Sequence, residues 1–133
     1  MKKVIKANRF AQDVKIVKQR FLSVNSARLE RLKQGLSRQQ RPFIDVLPLL
    51  FHMNHATLPG YQAKEVAKGI HNYRPDKAAL NALQGNYHRR ELYNRPVLNA
   101  DIYALYIMGS CGTLAQGVRS DLDVWVVYED GLS

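Results

Sequence analysis

An α+β fold is predicted by two features of this sequence. Apolar residues recur at helical spacing through its amino-terminal half, and two short β-favouring runs flank a glycine turn near its carboxy terminus. A third observation sets the scale. With 133 residues, 46% of them hydrophobic and 23% charged, the chain is one domain or a piece of one, large enough to bury a core.

Phe10, Val14, Val17, Phe21 and Val24 alternate four- and three-residue steps, and Leu29, Leu32 and Leu36 resume the pattern. This spacing predicts a long helix with a break near Ser23, Asn25 and Ser26 and an end at Gly35. Ser37 followed by Gln40 fits a capping box that opens a second helix through Phe43, Val46, Leu47, Leu50 and Phe51, and Pro48 should kink or break it. Leu58-Pro59-Gly60-Tyr61 is turn chemistry, and Lys68-Gly69-Ile70 reads as a loop or strand edge. Asp76 can cap a short helix through Leu80 and Leu83 that ends at Gly85. Tyr87 to Asn99 reads as loop or ragged helix.

Ile102 to Met108 is a short, mostly apolar run and predicts a buried strand. Gly109-Ser110-Cys111-Gly112-Thr113 breaks it, Leu114 to Val118 suggests a short helical passage, and Leu122 to Tyr128 predicts a second buried strand. Two strands alone are marginal in water. Either residues 61–75 add strands or the domain continues past Ser133; the second is expected, which makes the chain a truncated domain.

The net charge of +9 is unevenly spread. Residues 1–42 hold twelve of the twenty Lys and Arg against Asp13 and Glu30, giving +10, while the remainder has eight basic and nine acidic residues, giving −1. The basic character therefore belongs to the amino-terminal helices, where a solvated face is the expected role. Without an aromatic-rich platform, nucleic-acid binding is not expected. No stretch approaches the ~20 apolar residues of a membrane span, and the charged start leads into no apolar signal core. The lone Cys111 cannot form an intramolecular disulfide, so a reducing cytoplasm is the expected compartment.

The residues that can carry chemistry lie in the last third. Asp121 and Asp123, two apart at the opening of a strand, project from one face about 6.5 Å apart along it, from two rises of about 3.3 Å. Carboxylates that close repel one another, and a divalent cation removes the penalty; magnesium typically takes one or two carboxylates plus substrate phosphates. Gly109 permits a sharp turn after the first strand, and the following amides with the Ser110 hydroxyl can donate to phosphate oxygens. Phosphate donors beside carboxylates for the metal are what nucleotidyl transfer requires.

Gly109-Ser110, ten intervening residues, then Asp121-Leu122-Asp123-Val124 resembles the signature of polymerase-beta-like nucleotidyltransferases. The longer string from Met108 through Gln116 to Ser120-Asp121-Leu122-Asp123-Val124-Trp125-Val126 resembles class I adenylate cyclases of enteric and related bacteria. So do Leu47-Pro48-Leu49-Leu50-Phe51-His52, Leu58-Pro59-Gly60-Tyr61, Lys68-Gly69-Ile70 and Tyr73-Arg74-Pro75-Asp76, and the likeness covers roughly residues 40–130. The turn Cys111-Gly112-Thr113 departs from the more serine- and threonine-rich run of those cyclases.

This resemblance implies a mostly helical region over 1–100, followed over 101–133 by the first part of a nucleotidyltransferase-like mixed sheet, strand–Gly-Ser turn–helix–strand. It implies ATP as substrate and two magnesium ions held by Asp121, Asp123 and a third carboxylate from a later strand. The ribose 3′ oxygen attacks the α-phosphorus, and cyclic AMP and pyrophosphate result; this fragment alone is expected to be inactive. A carboxy-terminal region answering to the sugar phosphotransferase system is also implied, outside this chain.

Two other readings stay open at this stage: a nucleotidyltransferase with a different acceptor, and a helical interaction module that catalyses nothing. His52 and His55 are expected to pack or cap rather than bind metal, Cys111 to be a small turn residue, and Arg89-Arg90 to be a solvated pair. Arg119 stands next to the acidic motif, and Trp125 shares the carboxylates' face if alternation holds.

Overall fold

A computed structural model describes residues 2–94, 96–113, 116–117 and 120–131, with the side chains of residues 2–7, 90 and 93 outside the description. The chain divides into two compact units, one of residues 1–35 and 110–120, the other of residues 36–109 and 121–133.

The first unit is built on α1 (Lys2–Gly35). Up to Gly35 it contains no proline or glycine, and it is rich in Lys, Arg, Gln, Ala and Leu, which cost little in a helix. The break expected near Ser23–Ser26 does not occur. The Asn25 side-chain amide donates to the Phe21 carbonyl at 2.8 Å, one turn back, so this polar side chain is satisfied on the helix itself. The helix ends at Gly35, which does not take up the left-handed conformation. The periodic residues Phe10, Val14, Val17, Phe21 and Val24 are all exposed, so their rhythm marks a helix but no core. Leu32, Cys111 and Gly112 are this unit's buried residues among those described. Gly112 lies directly on the helix backbone: a Cβ added there would fall 2.1 Å from the Arg28 carbonyl oxygen.

The second unit begins with the capping box. Ser37 Oγ accepts from the Gln40 amide at 3.2 Å and Gln40 Oε1 accepts from the Ser37 amide at 3.1 Å. Helix α2 (Arg41–Met53) follows and runs unbroken through Pro48. An interior proline costs about 3 kcal/mol. Val46 and Leu49 on either side are completely buried, and each such side chain is worth about 1.5–3 kcal/mol, so packing outweighs the penalty. Asn54 ends α2 in the left-handed conformation and clamps the next turn through a pair of 3.0 Å hydrogen bonds with the Gln62 backbone.

Helix α3 (Lys77–Tyr87) is capped by Asp76, whose Oδ1 accepts from the Ala79 amide at 2.8 Å. It runs past Gly85, where an end was predicted, because His88 takes the left-handed position and its amide bonds the Gln84 carbonyl. A 3₁₀ turn over Arg90–Asn94 follows. Val46 and Leu49 of α2, Ala82 and Leu83 of α3, Leu58 and Leu92 form the core cluster, with Leu50, Met53, Tyr73 and Tyr87 packed around it.

β1 (Ile102–Met108) and β2 (Asp123–Tyr128) pair antiparallel, from Met108 opposite Asp123 to Ile102 opposite Tyr128, with an irregularity between Ile102 and Ala104. Ile70 makes an isolated parallel bridge to Ile102 on the other side of β1, so residues 68–71 bond to the start of that strand without adding a strand to the two-stranded sheet. Gly69 makes this possible. Its φ is +73°, and a Cβ there would lie 1.9 Å from the Asn99 carbonyl oxygen.

Candidate active site

The acidic motif is positioned by the strand pair. Met108 closes β1 opposite Asp123, the first residue of β2, and Gly109 then turns the chain with φ +74°. A Cβ on Gly109 would sit 2.9 Å from Asp123 Oδ2, so the carboxylate occupies space that only glycine leaves open. Asp121 stands before β2 rather than in it. Exposure nonetheless alternates from there onward: Asp121, Asp123, Trp125 and Val127 are exposed, while Leu122, Val124 and Val126 are half-buried. Trp125 therefore shares the Asp123 face, opposite Tyr106 across the ladder, and is 62% exposed.

In the other unit, Ser110 opens a tight turn. The Thr113 amide and hydroxyl both donate to the Ser110 carbonyl, at 3.1 and 2.6 Å. The Gly112 amide donates to Gln116 Oε1 at 2.7 Å. Ser120 Oγ accepts from Ser110 Oγ at 2.9 Å and from the Gly117 amide at 2.8 Å. Two amides that the sequence reading offers to phosphate, those of Gly112 and Thr113, are thus satisfied within the turn itself. The helical passage expected over Leu114–Val118 falls largely outside the described residues, as does Arg119; Gln116 and Gly117 lie in no helix.

Sequence reasoning missed the residues of α1 that hold this turn. Arg28 Nε donates to the Cys111 carbonyl at 2.7 Å and Arg31 Nε to the Gly112 carbonyl at 2.9 Å, both part-buried. A signal was present. The four-three rhythm of Phe10 to Val24 continues to positions 28, 31 and 35, where two arginines and a glycine replace the apolar residues. Read as charge alone, they merged with the solvated face.

The remaining candidates have local roles. His52 Nδ1 accepts from the Ile70 amide at 2.9 Å, and its ring lies tilted 5.2 Å from that of Tyr73. Burial lowers the His52 pKa below its ordinary value. Tyr73 is pushed up to about 12 by burial and by the charge of Asp76. His55 Nδ1 pairs with Thr57 Oγ1 at 2.9 Å in the turn after α2. Cys111 is buried in its turn. Arg89 makes an exposed 3.7 Å pair with Glu91, and the Arg90 side chain lies outside the described residues. Among the described residues no group of three or more His, Cys, Asp or Glu side chains gathers as a metal cluster, and no helix is long and apolar enough to cross a membrane. An apolar groove of about 380 Å³ runs beside α2, lined by Phe43, Leu47, Phe51, Pro59 and Val66 among others. It carries no ionisable group and suits no phosphate.

Residues 13–133 match the family model described as the adenylate cyclase NT domain. The chain is 32% identical over 122 residues to an adenylate cyclase of Escherichia coli K12, covering 90% of this chain and 14% of that protein. An adenylate cyclase of Haemophilus influenzae is 30% identical over 126 residues, covering 87% of this chain and 15% of its own length. One of Pasteurella multocida is 32% identical over 117 residues, covering 83% and 14%. The chain thus spans about a seventh of these relatives. No solved structure matches it significantly.

Proposed function

Because this chain belongs to the family of adenylate cyclase amino-terminal domains, we propose that it supplies the first half of a nucleotidyl-transfer site that converts ATP to cyclic AMP and pyrophosphate. The observation that carries this reading is the Asp123 carboxylate seated against left-handed Gly109, where two antiparallel strands begin and end. A glycine whose missing Cβ makes room for a carboxylate is the arrangement a metal-holding acid needs, since the oxygens stay accessible while the backbone turns away.

Asp121 and Asp123 would hold magnesium, and their all-oxygen, exposed donor set suits that ion. When bound, the metal supplies Lewis-acid stabilisation of charge on the phosphate and the leaving group. The chain's own contributions are the two carboxylates and the Gly109 turn beside Asp123, with the Ser110 turn as the donor to phosphate that the resemblance implies. The ribose 3′ hydroxyl gives its proton to solvent water as its oxygen bonds the α-phosphorus, and the bond from that phosphorus to the pyrophosphate oxygen breaks, releasing pyrophosphate. A third carboxylate is implied by the resemblance and has no counterpart assigned here, so the isolated chain is expected to bind without turnover.

A thermal-shift titration with ATP, with and without magnesium, tests this on the chain and on Asp123→Asn. Stabilisation should require magnesium and be lost in the variant, growing with the logarithm of ligand concentration. Equal stabilisation of both proteins would remove Asp123 from the site. In the full-length protein, Asp123→Asn should abolish cyclic AMP formation.

A further inference from the structure

We infer that Arg28 and Arg31 of α1 are positioning residues for the Ser110–Thr113 turn as a phosphate-binding element. The inference rests on the reading above that this turn faces phosphate. The two arginines are three apart, so they share one helix face, and they grip consecutive carbonyls, Cys111 at 2.7 Å and Gly112 at 2.9 Å. In a trans peptide the carbonyl and the next amide point in opposite directions. Holding these two carbonyls on α1 therefore fixes the direction of the Gly112 and Thr113 amides as well.

In the structure those amides meet Gln116 Oε1 at 2.7 Å and the Ser110 carbonyl at 3.1 Å. The Gln116 carboxamide, packed against Gly35 at the end of α1, thus covers the Gly112 amide, and a phosphate oxygen taking that amide would displace it. Gly112 is needed for the clamp to close. With φ +69° and a would-be Cβ 2.1 Å from the Arg28 carbonyl oxygen, no other residue lets the turn lie this close to the helix. Charged donors on part-buried carbonyls are the stronger class of hydrogen bond, which suits a loop that must hold its shape before an anion arrives.

The probe is inorganic tripolyphosphate with magnesium, titrated calorimetrically into the full chain, alongside amide hydrogen exchange across residues 110–117. Replacing both arginines by Ala should speed exchange through the turn and weaken tripolyphosphate at least about tenfold, the scale of losing two hydrogen bonds to charged donors. The pair of Gln variants keeps a donor without the charge, and it should restore much of both the protection and the affinity. Unchanged exchange and affinity in the Ala pair would overturn the inference. So would Gln variants that keep the turn protected yet lose affinity, since that is the behaviour of cations touching phosphate directly. A wild-type chain that binds neither tripolyphosphate nor ATP would sink the phosphate reading of the turn and this inference with it.

Discussion

Gly109 and Asp123 meet across the open end of the strand pair, the carboxylate oxygen 2.9 Å from the position a Cβ on residue 109 would take. Gly109→Ala therefore carries two penalties, a left-handed φ of +74° and a displaced carboxylate. Together they should cost about 1–3 kcal/mol. Combining it with Asp123→Ala removes the collision but not the backbone strain. The double-mutant cycle, read by urea unfolding, should show a coupling of at least about 0.5 kcal/mol. An additive cycle would mean that the two residues do not meet in solution.

Gly69 and Gly85 make a sharper contrast. Gly69→Ala would drive a methyl to 1.9 Å from the Asn99 carbonyl at a φ of +73°, and should cost about 3 kcal/mol or more by adding overpacking to strain. Gly85 sits inside α3 with nothing within 4 Å of its would-be Cβ. Gly85→Ala should stabilise the protein by about 0.5–1 kcal/mol, because alanine loses less backbone entropy on entering a helix. Thermal unfolding of the two variants should therefore shift in opposite directions.

That contrast also marks how far the sequence could be read. Gly85 looks like a helix end, yet the helix continues two residues further, because only tertiary context decides whether a glycine terminates or is tolerated. The reciprocal Ser37–Gln40 box, the Asp76 cap and both strands were legible from residues a few positions apart. The strands were expected to be buried, whereas in β1 only Ile102 is buried and β2 is exposed or half-buried. The Ile70–Ile102 bridge and the seat of Asp123 against Gly109 join distant segments, and no local pattern encodes them. Pro48 misled for a related reason: a local penalty was overcome by the burial of Val46 and Leu49. Of the candidate site, the aspartates and the glycine turn were visible as a motif. The arginine clamp was hidden, because a charged residue that bonds a remote carbonyl looks the same in sequence as one facing water.

The core of the second unit should be intolerant of cavities. Leu83 of α3 is completely buried among Val46, Leu49, Leu58 and Leu92. Leu83→Ala should cost about 2–5 kcal/mol, the range set by how far the neighbours collapse into the space. Denaturant midpoints would measure it, with Leu98→Ala as the control. Leu98 is 90% exposed, and its truncation should change stability by less than about 0.5 kcal/mol.

The pH dependence of stability should bend at both ends of the range. His52 keeps a folded pKa below its ordinary 6.5 through burial, and its Nδ1 must stay unprotonated to accept from the Ile70 amide. As pH falls below 6.5 the unfolded chain takes up the proton first, so the stability His52 provides is complete above that value and lost toward its lower folded pKa. His52→Asn retains an acceptor in nearly the same place but does not titrate. The stability difference between wild type and this variant, from urea midpoints at about pH 8 and about pH 5, should shift against wild type at the acid end. Parallel profiles would remove His52 as the cause. At the alkaline end the sign runs the other way. The Tyr73 hydroxyl, raised from 10.0 to about 12 by burial and by Asp76, ionises first in the unfolded chain. Stability should therefore decline between those two values, and Tyr73→Phe should flatten that decline.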